Sequence, residues 1–307
     1  MISLRLDEEA LRGTTVVVSP FVQTIEALAL LGRHGDEAPP PHTRWARRTR
    51  SQVGARRWRQ LVQVGAHLQD PPIPSSLAPA EAVAATDLDS ALAAVGPAAA
   101  ELELGRGDFI DAVVTLHEVA IAPVWPELRR LLDAEAQRCQ QVLAHGHGEE
   151  LLHTLESRLR WASPVLSIPT AVSIPQGDFV ASGLTVGPTA FTRGAHLLTV
   201  DDRCGALLTF PARGAGSLPL CSTTPTGGSR PDRLAILIGS GRATVLRTLV
   251  EPSTTTELSA RLALAPSTVS QHLSSLAEAG VIAKGREGRR VLYQLTADGF
   301  ELLRRLA

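Results

Sequence analysis

The sequence predicts an α+β protein: a mostly helical N-terminal domain with a small antiparallel β-sheet, followed by a C-terminal unit of short helices closed by a β-hairpin. Two observations carry this. Helical spacing of apolar residues dominates the first 162 residues and gives way from Pro164 to short β-prone runs separated by Gly, Pro and Asp. After a stretch rich in Gly, Ser, Thr and Pro, the helical period returns in short pieces and ends in two β-prone arms around "KGREGRR". A chain of 307 residues is long enough for two domains, each with its own core. The division expected is residues 1–210 (helical 1–162, β-rich 163–210), a linker at 211–232 and a C-terminal domain at 233–307.

In chain order, Ile2 to Leu6 alternates, and Ser19 with Pro20 supplies an N-cap and first-turn pair for a helix to about Arg33. The segment "DEAPPPH" breaks it. Further helices are expected at about 43–68, 79–95, 108–121, 123–144 and 148–160. The runs "VLSIPTAVSIP", "DFVASGLTVGP" and "HLLTVDDRCGALLTF" give the strands of the sheet.

The net charge of −1 excludes a polybasic protein, so any case for a polyanionic partner must be local. From Pro231 onward there are 10 Lys/Arg against 7 Asp/Glu, which leaves 20 against 24 before it. A single lysine among 30 basic residues fits a G+C-rich bacterial genome. Three widely spaced cysteines suggest neither a disulfide framework nor a CxxC site, which fits a reducing cytoplasm. No apolar run approaches the roughly 18 to 20 residues that span a bilayer, and "MISLRLDEEALRG" carries acids where a signal peptide needs an apolar core. The expectation is a soluble cytoplasmic chain with no membrane partner.

In the C-terminal unit, "AILIGSGRATVLRTLV" gives a first helix at about 241–250. Thr254 stands three residues before Glu257, the spacing of a capping box. Leu258 and Leu262 form the inner face of that short helix, Pro266 stops it, and Ser267 is the expected N-cap of the next. There Val269, Leu273 and Leu276 make one apolar stripe, while Gln271, Ser274 and Glu278 lie opposite. Gly280 sits where a helix end wants a left-handed residue. The following hairpin carries Lys284, Arg286, Arg289 and Arg290 against Glu287. Helix, short helix, three-residue turn, helix and basic hairpin make a winged helix-turn-helix. Compact hydroxyls and an amide suit the donors and acceptors of a DNA major groove, and the arginines suit phosphates.

The stretch "TTTELSARLALAPSTVSQHLSSLAEAGVIAKGREGRRVLYQLT" resembles the DNA-binding core of the ArsR family of bacterial winged-helix regulators, over residues 241–303. The resemblance implies a double-stranded-DNA-binding transcriptional repressor, with recognition-helix contacts from Ser267, Thr268, Ser270, Gln271 and His272 and wing contacts from Arg286, Arg289 and Arg290. Ser274 on the same helix face and Lys284 at the hairpin tip complete the expected DNA-binding set, and a homodimer is expected because one recognition helix reads too few base pairs. Family dimers pair through the first and last helices of the winged unit; here the last helix, Ala297 to Ala307, is short, so the N-terminal domain is expected to share that task. The cysteine and histidine ligands of metal-sensing members are missing from Ser259 to Arg261 and from "ADGFELLRRLA", so no metal or other cofactor is expected. The wider architecture, including "SPFVQTIEALALLGR", "LHEVAIAPVWPELRRLL" and "RWASPVLSIP", resembles long regulators of high-G+C bacteria with an N-terminal domain of unassigned function. Residues 1–210 are read as a module for dimerisation and for sensing a small-molecule effector; the alternative is an enzyme or protein-interaction module fused to the DNA reader.

Other features take plainer readings. "RWARRTRSQVGARRWR", with seven Arg and two Trp, reads as a solvated basic face with Trp45 and Trp58 packed inward, against a second nucleic-acid surface. His145, His147 and His153 near Cys139 read as a loop and cap rather than a zinc site. His117 beside Glu118 reads as packing or a buried hydrogen bond. His272 fits either a packed or a DNA-facing role. No nucleophile elbow, phosphate loop or dinucleotide fingerprint occurs, so no catalytic residue is assigned and the protein is read as a non-enzyme.

Overall fold

A computed structural model describes residues 1–69, 72–95, 105–146, 148–156, 158–169, 178–201, 205–215, 233–249, 252–262, 264–287 and 290–306. The chain divides into two compact units, Met1–Gly35 with Thr49–Ala212, and Asp36–Arg48 with Arg213–Ala307. The short segment Asp36–Arg48 thus groups with the C-terminal unit, although it lies far from it in sequence. Most of the expected linker, residues 216–232, lies outside the described residues.

The first unit opens with β1 (Ile2–Leu6), α1 (Glu8–Arg12), β2 (Thr15–Val16) and α2 (Pro20–His34). Ser19 accepts the Val22 N–H and Pro20 occupies the first turn, as the sequence predicts. Helix α3 (Thr43–Ala66) is broken at Gly54, whose φ of 77° and ψ of 167° are open to glycine and strained for other residues. The helix expected at 79–95 is two, α4 (Ala80–Ala84) and α5 (Leu88–Ala94), because Asp87 caps a fresh start by accepting the Ser90 N–H at 2.8 Å. Helix α6 (Arg106–Leu116) runs through a π turn, His117–Ile121, and a 3-10 turn at Pro123 into α7 (Trp125–Ala144). By length and composition the run Arg106–Ala144 could cross a bilayer, contrary to the expectation that no such stretch exists. Along it Phe109, Val113, Leu116, Ile121, Leu128 and Leu132 are fully buried in the fold.

After α8 (Gly148–Leu155) come β3 (Arg160–Ala162), β4 (Val165–Ile168), β5 (Asp178–Ala181), β6 (Leu184–Thr189), β7 (His196–Asp201) and β8 (Gly205–Pro211). The α+β class holds, but the single antiparallel sheet must be corrected to two mixed four-stranded sheets, β3-β4-β1-β5 and β2-β6-β8-β7. β1 pairs antiparallel with β4 and parallel with β5; β6 is parallel to both β2 and β8. Each sheet recruits a strand from the first sixteen residues. Ile2, Leu4 and Leu6 form one buried face of β1, and such a face needs neighbouring strands that only the distant β4 and β5 provide.

The second unit contains α9 (Arg233–Ile238), α10 (Ser240–Thr248), α11 (Thr255–Leu262), α12 (Pro266–Glu278), β9 (Ile282–Glu287), β10 (Arg290–Leu295) and α13 (Ala297–Leu306). The first helix expected at 241–250 is preceded by α9, from which Gly239 at φ 84° separates it. Leu234, Leu246, Leu258, Val269, Leu273 and Leu303 lead a core to which the four helices α9, α10, α12 and α13 and the short α11 all contribute.

Candidate nucleic-acid interface

The helix-turn-helix is held by three local devices. At the start of α11, the Thr254 N–H donates to Glu257 Oε2 at 2.9 Å while the Glu257 N–H donates to Thr254 Oγ1 at 3.2 Å, the reciprocal capping box that the sequence predicts. The start of α12 differs from expectation: Ala265, not Ser267, is the N-cap, and Pro266 takes the first helical position, where its missing N–H costs nothing. Ser267 therefore sits in the first turn with its hydroxyl exposed. At the far end Gly280, at φ 71°, closes a Schellman motif: its N–H donates to Ala277 O at 3.0 Å and the Val281 N–H to Leu276 O at 3.2 Å.

These devices fix which face of α12 is free. Val269, Leu273 and Leu276 are buried in the core, and Ser267, Ser270, Gln271 and Ser274 are exposed. Thr268 is half-buried. His272 is half-buried and leans on the first turn of α10, where a Cβ added at Gly241 would come within 2.6 Å of its Nε2. The imidazole thus packs beside the exposed face rather than projecting from its middle. Along this side an open cleft of about 700 Å³ runs between α12 and the start of α10. Ser240 and Arg242 line it opposite Gln271 and Ser274. Sequence reasoning passed over Ser240 and Arg242, because "GSG" reads locally as a turn and only tertiary packing brings it beside α12.

The wing is the antiparallel pair β9 and β10, extended by Ser253, which exchanges two 2.9 Å backbone hydrogen bonds with Tyr293. The register pairs Arg286 with Val291 and Lys284 with Tyr293, so Lys284 and Arg286 share one face of the ribbon. Arg290 pairs with Glu287 and belongs to the other face, a separation invisible in the sequence string. Lys284, Arg286 and Arg290 are exposed; Arg289 lies outside the described residues.

The other candidate residues are placed elsewhere. Among the described residues no group of three His, Cys, Asp or Glu is positioned to hold a metal. Cys139 is buried, His145 Nδ1 lies 2.7 Å from Gln141 O, His153 is exposed, and His147 lies outside the described residues. His117 Nδ1 meets Thr24 Oγ1 at 3.2 Å, and burial holds the imidazole below its ordinary pKa. Trp45 and Trp58 are buried, while Arg44, Arg47, Arg50, Arg56, Arg57 and Arg59 are exposed. A pair that the sequence did not suggest joins α2 to the second sheet: the half-buried His196 Nε2 lies 3.1 Å from the buried Glu26 Oε1, which also accepts the Thr209 hydroxyl at 2.7 Å. His196 Nδ1 meets Thr192 Oγ1 at 3.1 Å, so both ring nitrogens are engaged within the fold.

The fold is that of a winged helix-turn-helix. Residues 241–284, from the first turn of α10 to β9, match the family model described as "Bacterial regulatory protein, arsR family". Over these residues the C-terminal unit is similar to the arsR-family helix-turn-helix, which supports reading it as the DNA-binding part of a transcriptional regulator. A solved structure described as "Crystal structure of Possible transcriptional regulator for arsenical resistance" is 32% identical over 24% of this chain and 79% of that chain, with a TM-score of 0.22. No curated protein matches the chain.

Proposed function

We propose that the protein is a cytoplasmic, dimeric transcriptional repressor that reads duplex DNA through α12, grips the backbone with its wing, and is controlled by an effector bound within residues 1–210. The observation that carries the DNA contact is the exposed face of α12, where Ser267, Ser270, Gln271 and Ser274 present hydroxyls and an amide, followed in the chain by a wing that exposes Lys284 and Arg286. Short polar groups meet base edges in the major groove, and the wing supplies the charge that meets phosphates. Repression is the inference from the family match.

Dimerisation has its own support. Ile236 and Leu237 on α9 and Phe300 on α13 are 68%, 62% and 48% exposed, and α9 packs against α13. Large apolar side chains left on two adjacent helices suit burial against a second copy. Two recognition helices then read half-sites about one helical turn apart. Ile236→Asp with Phe300→Asp is expected to yield monomers in sedimentation; an unchanged dimer refutes this surface. Effector control draws its support from the size of the first unit, which has its own core of two sheets and flanking helices.

The decisive experiment is a mobility shift on the region upstream of the protein's own gene. Gln271→Ala is expected to cost about 1 to 3 kcal/mol on the preferred site and to relax selectivity. Arg286→Ala is expected to weaken all duplexes alike and to flatten the salt slope by about one unit. Wild-type affinity in both variants overturns the assignment.

A further inference from the structure

Helix α3 concentrates positive charge on the first unit. From Ala38 to Gln69 the chain holds seven arginines and no carboxylate, in a protein whose overall charge is −1. After Gly54 the helix turns Trp58, Leu61, Val64 and Leu68 inward. It is pinned there at Gly65, whose added Cβ would lie 2.1 Å from the Leu28 carbonyl oxygen. Arg56, Arg57, Arg59, Gln63 and His67 remain exposed, with Arg56, Arg59, Gln63 and His67 at the 3- and 4-residue steps of one helical stripe. Among the described residues no carboxylate forms an ion pair with Arg56, Arg57 or Arg59; Asp111 meets this helix by accepting from Gln60 at 3.1 Å. Among the described residues Arg59 donates to its own helix, at Ala55 O.

We propose that Arg56, Arg57 and Arg59 form a second polyanion-binding surface, and that its occupant is the phosphate backbone of duplex DNA. The choice of occupant follows from what the helix hides. Single-stranded nucleic acid is held by bases stacking on aromatic rings, and both tryptophans of this helix are buried. A membrane-surface helix inserts apolar side chains, and here Trp58 and Leu61 face the core. What remains outside is guanidinium, which pairs with phosphate oxygens in a planar, bidentate manner. The three arginines arise within about 4.5 Å of helix rise, and a duplex presents one charge per roughly 1.7 Å of its axis, so two or three phosphates fall within their reach. Such contacts carry no sequence information; they raise affinity for operator and random duplex alike. The occupant, though not the surface, rests on the DNA-binding reading of α12.

The test uses the full chain with all three arginines changed to Gln, and separately to Lys. Binding to an operator duplex and to a scrambled duplex is measured across a salt series, with thermal unfolding as the control for folding. Three lost phosphate contacts should reduce the slope of log affinity against log salt by about 2.7, and weaken binding roughly 10²- to 10³-fold at about 0.1 M salt, equally for both duplexes. The Lys variant should keep the wild-type slope. Arg57→Gln alone should remove about 0.9 of it, which keeps the test decisive if the triple variant folds poorly. A wild-type slope in the Gln variants, with selective binding intact, overturns this surface and leaves α12 as the reader. A Gln271→Ala variant that loses selectivity at unchanged slope keeps the two contacts separate, in favour of the proposal. Wild-type protein indifferent to every duplex at low salt overturns both. Loss of binding to phosphatidylglycerol vesicles at unchanged DNA slope assigns the surface to lipid and also refutes the proposal.

Discussion

Gly65→Ala tests how the first unit holds α3 in place. In the native packing α2 and α3 touch backbone to backbone: a Cβ at Gly65 would lie 2.1 Å from Leu28 O and 2.8 Å from Gly32 N, and one at Gly32 would lie 2.0 Å from the Gly65 carbonyl carbon. Ordinary contacts lie near 3.5 Å or beyond, and backbone atoms have no rotamer to escape through, so the helices must part by more than about 1 Å. A gap of that size forfeits roughly a quarter to a half of the dispersion energy of the contacts it opens. Overpacking of this kind costs about 1 to 3 kcal/mol and at times more. Helix propensity works the other way, favouring Ala over Gly by about 1 kcal/mol. With so short a clash the packing term wins, and the net loss expected is about 2 kcal/mol, or roughly 4 to 8 °C in the unfolding temperature of a unit this size. Because one separation relieves both clashes, Gly32→Ala with Gly65→Ala should cost less than the two single changes together. Thermal unfolding followed by circular dichroism reads all three. A Gly65→Ala protein as stable as wild type, or more so, refutes the backbone contact.

Four further outcomes are expected. Burial pulls the His196 imidazole down, but the Glu26 carboxylate and the Gly194 carbonyl push it up, and it ends above its ordinary value. The stabilisation from that pair is therefore complete below about pH 6.5 and fades as pH rises through the raised value, so Glu26→Gln should destabilise most in mild acid; a pH-independent loss in urea unfolding refutes the pairing. His117 has the opposite sign: burial lowers it, so its contribution is present above about pH 6.5 and is lost as pH falls, and His117→Gln should flatten the acid limb of the stability curve. Thr254→Ala breaks the capping box of α11 and should cost about 1 kcal/mol in denaturant unfolding, with no change expected if the cap were solvent-satisfied. Leu273→Ala, at a fully buried site, should cost about 2 to 5 kcal/mol and abolish DNA binding through loss of the winged unit, read by melting and mobility shift together.

What the sequence made legible was local. The Ser19 cap, the capping box at Thr254 and Glu257, the left-handed Gly280 and the apolar stripe of α12 are each written within a few residues, and the structure repeats them. What it hid was non-local. Strand direction leaves no mark on composition, so the parallel pairs β1 with β5 and β6 with β8 could not be read from alternation alone. The Glu26 to His196 pair joins residues 170 positions apart, and the Gly32 to Gly65 contact looks in sequence like two ordinary helical glycines. Where local signals competed, the stronger backbone constraint prevailed: Pro266 took the first helical position and displaced Ser267 from the cap.

The same division runs through the candidate interface. Which side of α12 is exposed follows from the period of Val269, Leu273 and Leu276, and with it the exposure of Gln271 and Ser274. The company that face keeps does not. The sequence leaves His272 open to either a packed or a DNA-facing role, and Gly241 decides it by leaving room for the imidazole against α10; a larger residue at 241 would drive it out. The wing's cations form one cluster in the string, yet the two-residue pleat sets Lys284 and Arg286 on one face and Arg290 on the other. A duplex lying on one face of the ribbon therefore meets two of these cations directly, so Lys284 and Arg286 should account for more of the wing's salt dependence than Arg290 does.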